Sequence, residues 1–281
     1  MRLTSGDAEL VLVPETGGAI ASWTIAGRPI FRPANPNAID ARGHACYPLV
    51  PYSNRVANRR FSFAGVEHEL PILHEGWAIH GAAWRCVWTM HGNTMQLDYP
   101  GGELWPFAFH TEQQFELEPN ALAITMRMTN RHTAPAPAAI GLHPFFSRND
   151  QTMLQLAAKS VWRNGPDKIP VDETPIPPEW DYTTERMLGR PNIDNCLSGW
   201  SGSYRLTWPE RRERVTVHAT QPFGHLVLFV PDDKPFTAIE PVSNMNDGLN
   251  RMNTDVDHGM KILAPGETLE GRISLVVEPI A

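Results

Sequence analysis

The stretch ALAITMRMTN, residues 121–130, decides the fold. Leu122, Ile124, Met126 and Met128 alternate with Thr125, Arg127 and Thr129, so one side of the segment is apolar and the other polar. That is the two-residue period of a strand lying on a core. Just before it, FHTEQQFEL alternates more loosely, and Glu118-Pro119-Asn120 separates the two as a turn. Residues 107–130 therefore read as a hairpin.

Outward from the hairpin the same texture continues. HLVLFV, 225–230, is an unbroken apolar run, the pattern of a strand buried on both faces. RISLVVEP, 272–279, reads as another strand, and AELVLVPETGGAIASWTIAGRPIF, 8–31, as three short ones punctuated by Gly17-Gly18 and Gly27. The 26 prolines are spread through the chain and leave no room for long helices. Residues 165–200, rich in Pro, Asp and Asn, read as a long loop excursion. The expectation is one all-β domain over residues 1–281, a large antiparallel β-sandwich.

Composition narrows the partners. A net charge of −7 with no block of like charges argues against a nucleic-acid partner. No apolar run is long enough to span a bilayer, and MRLTSGDAEL has no signal-peptide core. Three widely spaced cysteines, Cys46, Cys86 and Cys196, read as reduced thiols, so a cytoplasmic location is expected. Whether the chain is a monomer or a homodimer stays open.

Four stretches combine chemistry-bearing side chains with rigid punctuation. They are YPLVPYSNRVANRRFSFAG (47–65), ILHEGWAIHGAAWRCVW (72–88), AAIGLHPFFSR (138–148) and FTAIEPVSNMNDGLN (236–250). His143 and Glu240 share one design: a titratable group at the end of an apolar strand, followed by proline. Such a position holds a side chain on a rigid support, and partial burial tunes a carboxylate towards neutrality. Trp84, Trp88, Phe145 and Phe146 offer flat faces of the kind that pack on sugar rings. A histidine on an apolar strand is more often a hydrogen-bonded structural residue, so no stretch is decisive alone. His74, His80 and His91 lack HExxH spacing and there is no cysteine pair, so no metal site is expected. GxSxG, Walker and GxGxxG motifs are absent, which removes support for nucleophile-elbow hydrolases and nucleotide enzymes.

In this order the four stretches resemble the aldose 1-epimerase (galactose mutarotase) family: PYSNR with FxFxG, then HGxxW, then LHPFF, then IEP with an Asn-rich loop. The resemblance runs from Gly17-Gly18 to the C-terminal PGET and implies a galactose mutarotase-like supersandwich. It implies interconversion of the α and β anomers of a free aldose without a cofactor. Glu240 would be the general base, His143 the general acid and His80 a second active-site histidine. Arg55 with Asn54, Asp194 of NIDNCL, and Trp84 would bind the sugar. The chain has LHPFF where many relatives have HPYF, which removes a hydroxyl from the pocket wall. The resemblance further implies that Glu240 acts ionised and His143 protonated, on opposite sides of one C–O bond. Two rival readings remain. One is a hexose 6-phosphate epimerase, with Arg85 or Arg59-Arg60 on the phosphate. The other is a non-catalytic carbohydrate-binding protein.

Overall fold

Alternation along the strands produces two large antiparallel sheets in the computed structural model, which describes residues 1–280. Phe109–Glu118 and Ala121–Asn130 form the expected hairpin, with Glu118 opposite Ala121. Leu122, Ile124, Met126 and Met128 are all buried in the main core. The C-terminal strand Thr268–Pro279 pairs with Ala121–Asn130 along nine residues and on its other edge with Glu213–Ala219. These strands belong to a nine-stranded sheet.

The second sheet has eleven strands. Its centre runs in the order Cys46–Leu49, Gly141–Ser147, Phe236–Val242, His225–Val230, Ile193–Ser198. These five strands are buried on both faces, which is why HLVLFV carries no alternation. Leu142, Phe146, Leu226, Leu228 and Ile239 point to the other sheet and join the main core. Two side chains stitch the layers: Tyr204 donates to the Ile239 carbonyl at 3.2 Å and Trp208 Nε1 to the Ser147 carbonyl at 2.8 Å. The intervening residues, Tyr47, Leu49, Phe145, Cys196, Val227, Ala238 and Val242, point the other way. There they meet Ala41, Leu73, Ile79, Trp84 and Met245 from overlying loops, in a second apolar cluster. The sheet thus serves two interiors, one of them roofed by loops.

Residues 165–200 differ from the loop expected for them. Pro170–Pro175, Tyr182–Met187 and Ile193–Ser198 are strands. The first two are sheet edges, where proline and charged side chains are tolerated because one row of backbone groups faces solvent. No helix among the described residues is long and apolar enough to cross a membrane.

Phe146 is fully buried between the sheets, edge-on to Phe31 at 5.4 Å. Phe146→Ala should lower unfolding free energy by about 3–5 kcal/mol, the usual cost of emptying a buried phenyl site. Urea denaturation measures it, and a loss under about 1 kcal/mol would contradict this packing.

Candidate active site

Register brings the chemistry together. Gly141 lies opposite Val242 and Phe145 opposite Ala238, so His143 faces Glu240 across two central strands. On the other side His143 is paired with Tyr47. All three project onto the loop-roofed face. The result is a His143 Nε2 to Glu240 Oε1 distance of 3.1 Å, with both side chains almost wholly buried. The expected acid and base are therefore side-by-side neighbours on one floor, rather than groups facing each other across a bond. Glu240 Oε2 and His143 Nδ1 are buried without a protein hydrogen-bond partner.

Burial governs the pair's protonation. It pushes the Glu240 carboxyl well up, helped by the nearby Asp194 charge and opposed by Arg55. It pulls His143 down to about 3, with Arg32 adding repulsion. Both shifts disfavour charge, favouring a carboxylic acid beside a neutral imidazole. This departs from an ionised glutamate beside an imidazolium. The two forms differ by one proton hop across the 3.1 Å gap.

His80 arrives from the PYSNR and HGxxW loops, which lock each other. The His80 amide donates to the Asn54 carbonyl at 3.0 Å, and the Asn54 amide donates to His80 Nδ1 at 3.1 Å. A ring nitrogen that accepts must be unprotonated, so Nε2 carries the hydrogen and His80 is a neutral donor. Burial, together with the neighbouring His143 and Arg55, keeps its pKa well below the ordinary value. Asn54 and His80 both have left-handed backbone, φ +59° and +64°. Gly81 has φ +73°, and a Cβ there would lie 2.2 Å from the Val50 carbonyl oxygen, so only glycine fits after His80.

The Asn-rich loop after Glu240 clamps the PYSNR loop. Asn244 Oδ1 accepts from the Ser53 amide at 2.9 Å, and Asp247 Oδ1 accepts from the Ala57 amide at 2.9 Å. The Arg55 carbonyl accepts from the Asp247 amide at 3.0 Å. Arg55 is thereby fixed: its Nη1 lies 3.3 Å from Asn54 Oδ1 and 3.6 Å from Asp194 Oδ2. Asp194 also meets Lys168 Nζ at 3.3 Å.

Glu240, His143, His80, Asn54, Arg55 and Asp194 all line one cavity of about 290 Å³, with Tyr47, Phe145, Phe229, Phe236 and the cations Arg32, Arg42 and Lys168 among its other walls. A neighbouring space of about 520 Å³, beside Arg59, Trp77 and Asp167, contains none of the acid–base groups. Trp84 does not reach the 290 Å³ cavity. It is fully buried in the loop-roofed cluster beside the cavity, tilted against Tyr47 at 6.3 Å, with Nε1 donating to the Ile79 carbonyl. Trp88 and Phe146 lie in the main core. Of the four expected flat faces only Phe145 lines the cavity, because alternation sends Phe146 inward. Arg85 lies over Trp84, outside the cavity wall, and Arg59 and Arg60 pair with Glu69. Tyr47 was not anticipated. It stacks on His143 at 4.6 Å with ring planes 19° apart, and CYPL offers no alternation to single it out.

The family model described as aldose 1-epimerase matches residues 1–276. The chain belongs to the aldose 1-epimerase family. Among relatives of this epimerase-family chain, the uncharacterized Escherichia coli K12 protein YphB is 27% identical over 281 residues, covering 95% of this chain and 94% of that protein. A crystal structure of an E. coli K12 protein provisionally termed an aldose 1-epimerase superposes with a TM-score of 0.89 at 27% identity, covering 99% and 98% of the two chains. A galactose mutarotase-like protein from Clostridium acetobutylicum gives 0.87 at 18% identity, covering 99% and 95%, and shares the fold.

Because burial holds His143 down at about 3, its ring should stay neutral from pH 8 to pH 5. Nitrogen chemical shifts of labelled histidine would show this. Titration of His143 near 6.5 would contradict it.

Proposed function

We propose that the chain interconverts the α and β anomers of an aldose by acid–base ring opening. One observation carries the reading: a buried carboxyl and imidazole 3.1 Å apart on the floor of a cavity of monosaccharide scale. The two oxygens on an anomeric carbon are close neighbours, so adjacent proton carriers suit them better than opposed ones.

In this reading the resting proton first hops from Glu240 to His143; Glu240 then takes the proton from the anomeric hydroxyl while His143 delivers one to the ring oxygen. The O1–H bond and the bond from C1 to the ring oxygen break. C1=O1 and a new hydroxyl form, and the electrons stay within the sugar. Rotation about C1–C2 presents the other face of the aldehyde, and closure runs the same transfers backwards. The pair then returns to its starting state by a hop between Oε1 and Nε2. His80, a neutral donor, holds a hydroxyl or the ring oxygen. Arg55, with Asp194 beside it, binds hydroxyls and moderates the cost of charge on Glu240. No step needs a cofactor. A carbohydrate-binding protein would have no use for two buried, mutually engaged titratable groups, whose desolvation is costly. We assign the protein to the cytoplasm, where its three free cysteines would stay reduced.

Glu240→Gln keeps the side chain's shape and removes its basicity. It should slow anomer exchange, followed by polarimetry or exchange NMR, by about 10²–10⁴ with thermal stability retained. Loss of stability at an unchanged rate per folded molecule would make Glu240 structural.

Arg55→Ala should raise KM more than it lowers kcat, since a guanidinium binds but does not transfer a proton. An unchanged KM for the best sugar would remove Arg55 from the binding site.

A further inference from the structure

Four cations line the cavity, and three have carboxylate partners. Arg42 meets Asp40 at 2.6 Å, while Arg55 and Lys168 share Asp194 at 3.6 and 3.3 Å. Arg32 is the exception: among the described residues no carboxylate stands within ion-pair distance of it. Its guanidinium lies between two phenyl rings, 3.8 Å from the centre of Phe145 and 4.5 Å from that of Phe236. Nη2 donates to two neutral carbonyls, His44 at 2.8 Å and Arg42 at 3.3 Å, and Nε is buried without a partner. Burial without a counter-charge lowers its pKa. A half-buried guanidinium whose Nη1 is left without a partner at a cavity wall is a ready receptor for an anion.

We propose that the site is built for an aldose bearing an anion on carbon 6, with Arg32 as the anion's partner. The position on the sugar follows from the wall. Phe145 lies 4.4 Å from His143, so Arg32, Phe145 and His143 form one row of flat groups. If His143 addresses the ring oxygen, Arg32 flanks that oxygen on the side of carbon 5, whose substituent is carbon 6. A carboxylate there or a phosphate on its oxygen presents the same chemistry. This inference rests on the anomer-exchange reading above.

The test compares kcat/KM for anomer exchange across D-glucose, D-galactose, D-glucuronate, D-galacturonate and D-glucose 6-phosphate. The charged sugars should exceed their neutral counterparts by about 10- to 100-fold, the worth of one charge-assisted hydrogen-bonded contact. Carboxylate and phosphate arms show which anion is served. In Arg32→Gln the charged-to-neutral ratio should fall at least about tenfold, and Arg32→Lys should restore part of it, more for phosphate than for the planar carboxylate. Because the readout is a ratio, a general loss of folded enzyme leaves it unmoved. Neutral sugars exchanging as well as charged ones in the native protein would overturn the inference and leave the function standing. So would an unaltered ratio in Arg32→Gln, which would make Arg32 a clamp on the 40–44 turn. Acceleration of none of the five sugars would overturn the function and this inference with it.

Discussion

The contact between His143 and Glu240 constrains everything around it. Each is a polar group taken out of water, and each would be costly there alone. At 3.1 Å each is the other's nearest polar partner, close enough for a proton to pass between them. Holding that distance demands two adjacent strands in fixed register, buried on both faces, and so a sheet with a core on either side. The nine-stranded sheet supplies one covering. The 47–65, 72–88 and 243–250 loops supply the other.

Those loops are held by polar bonds rather than by a second sheet. Asn54 and His80 bond each other twice, Asn244 and Asp247 clasp the PYSNR segment, and Gly81 passes the Val50 carbonyl at a distance no side chain permits. Further along the same rim, Arg148 donates to the carbonyls of Gly189, Pro231, Lys234 and Phe236, pinning the loop before Phe236. Irregular backbone can be buried only when its amides and carbonyls find partners, and the asparagine-rich motifs provide them.

Much of this was legible in the chain. The 121–130 alternation fixed the fold class because a period of two admits only a strand on a core. The motif residues Asn54, Arg55, His80, His143, Asp194 and Glu240 do converge on one cavity. What sequence could not show was direction. In a strand buried on both faces, hydrophobicity cannot say that Phe145 looks out and Phe146 in, or that Tyr47 stacks under His143. Trp84 was misplaced because it sits in the short turn Ala83–Arg85, which packs its ring into the loop-roofed cluster instead of the cavity wall. Arg32 escaped notice because its meaning lies in lacking an acidic neighbour, a property of the folded surface. The edge strands within 165–200 were hidden because edge positions accept proline and charge.

The central claim is that Glu240 and His143 act as one proton-holding unit. A double-mutant cycle on the rate of anomer exchange tests it most directly, using Glu240→Gln, His143→Asn and both together. Groups that work as a unit are strongly non-additive. The double variant should therefore be no slower than the worse single one, within about threefold. A double variant slower by the product of the two single losses would show two independent groups and contradict the account.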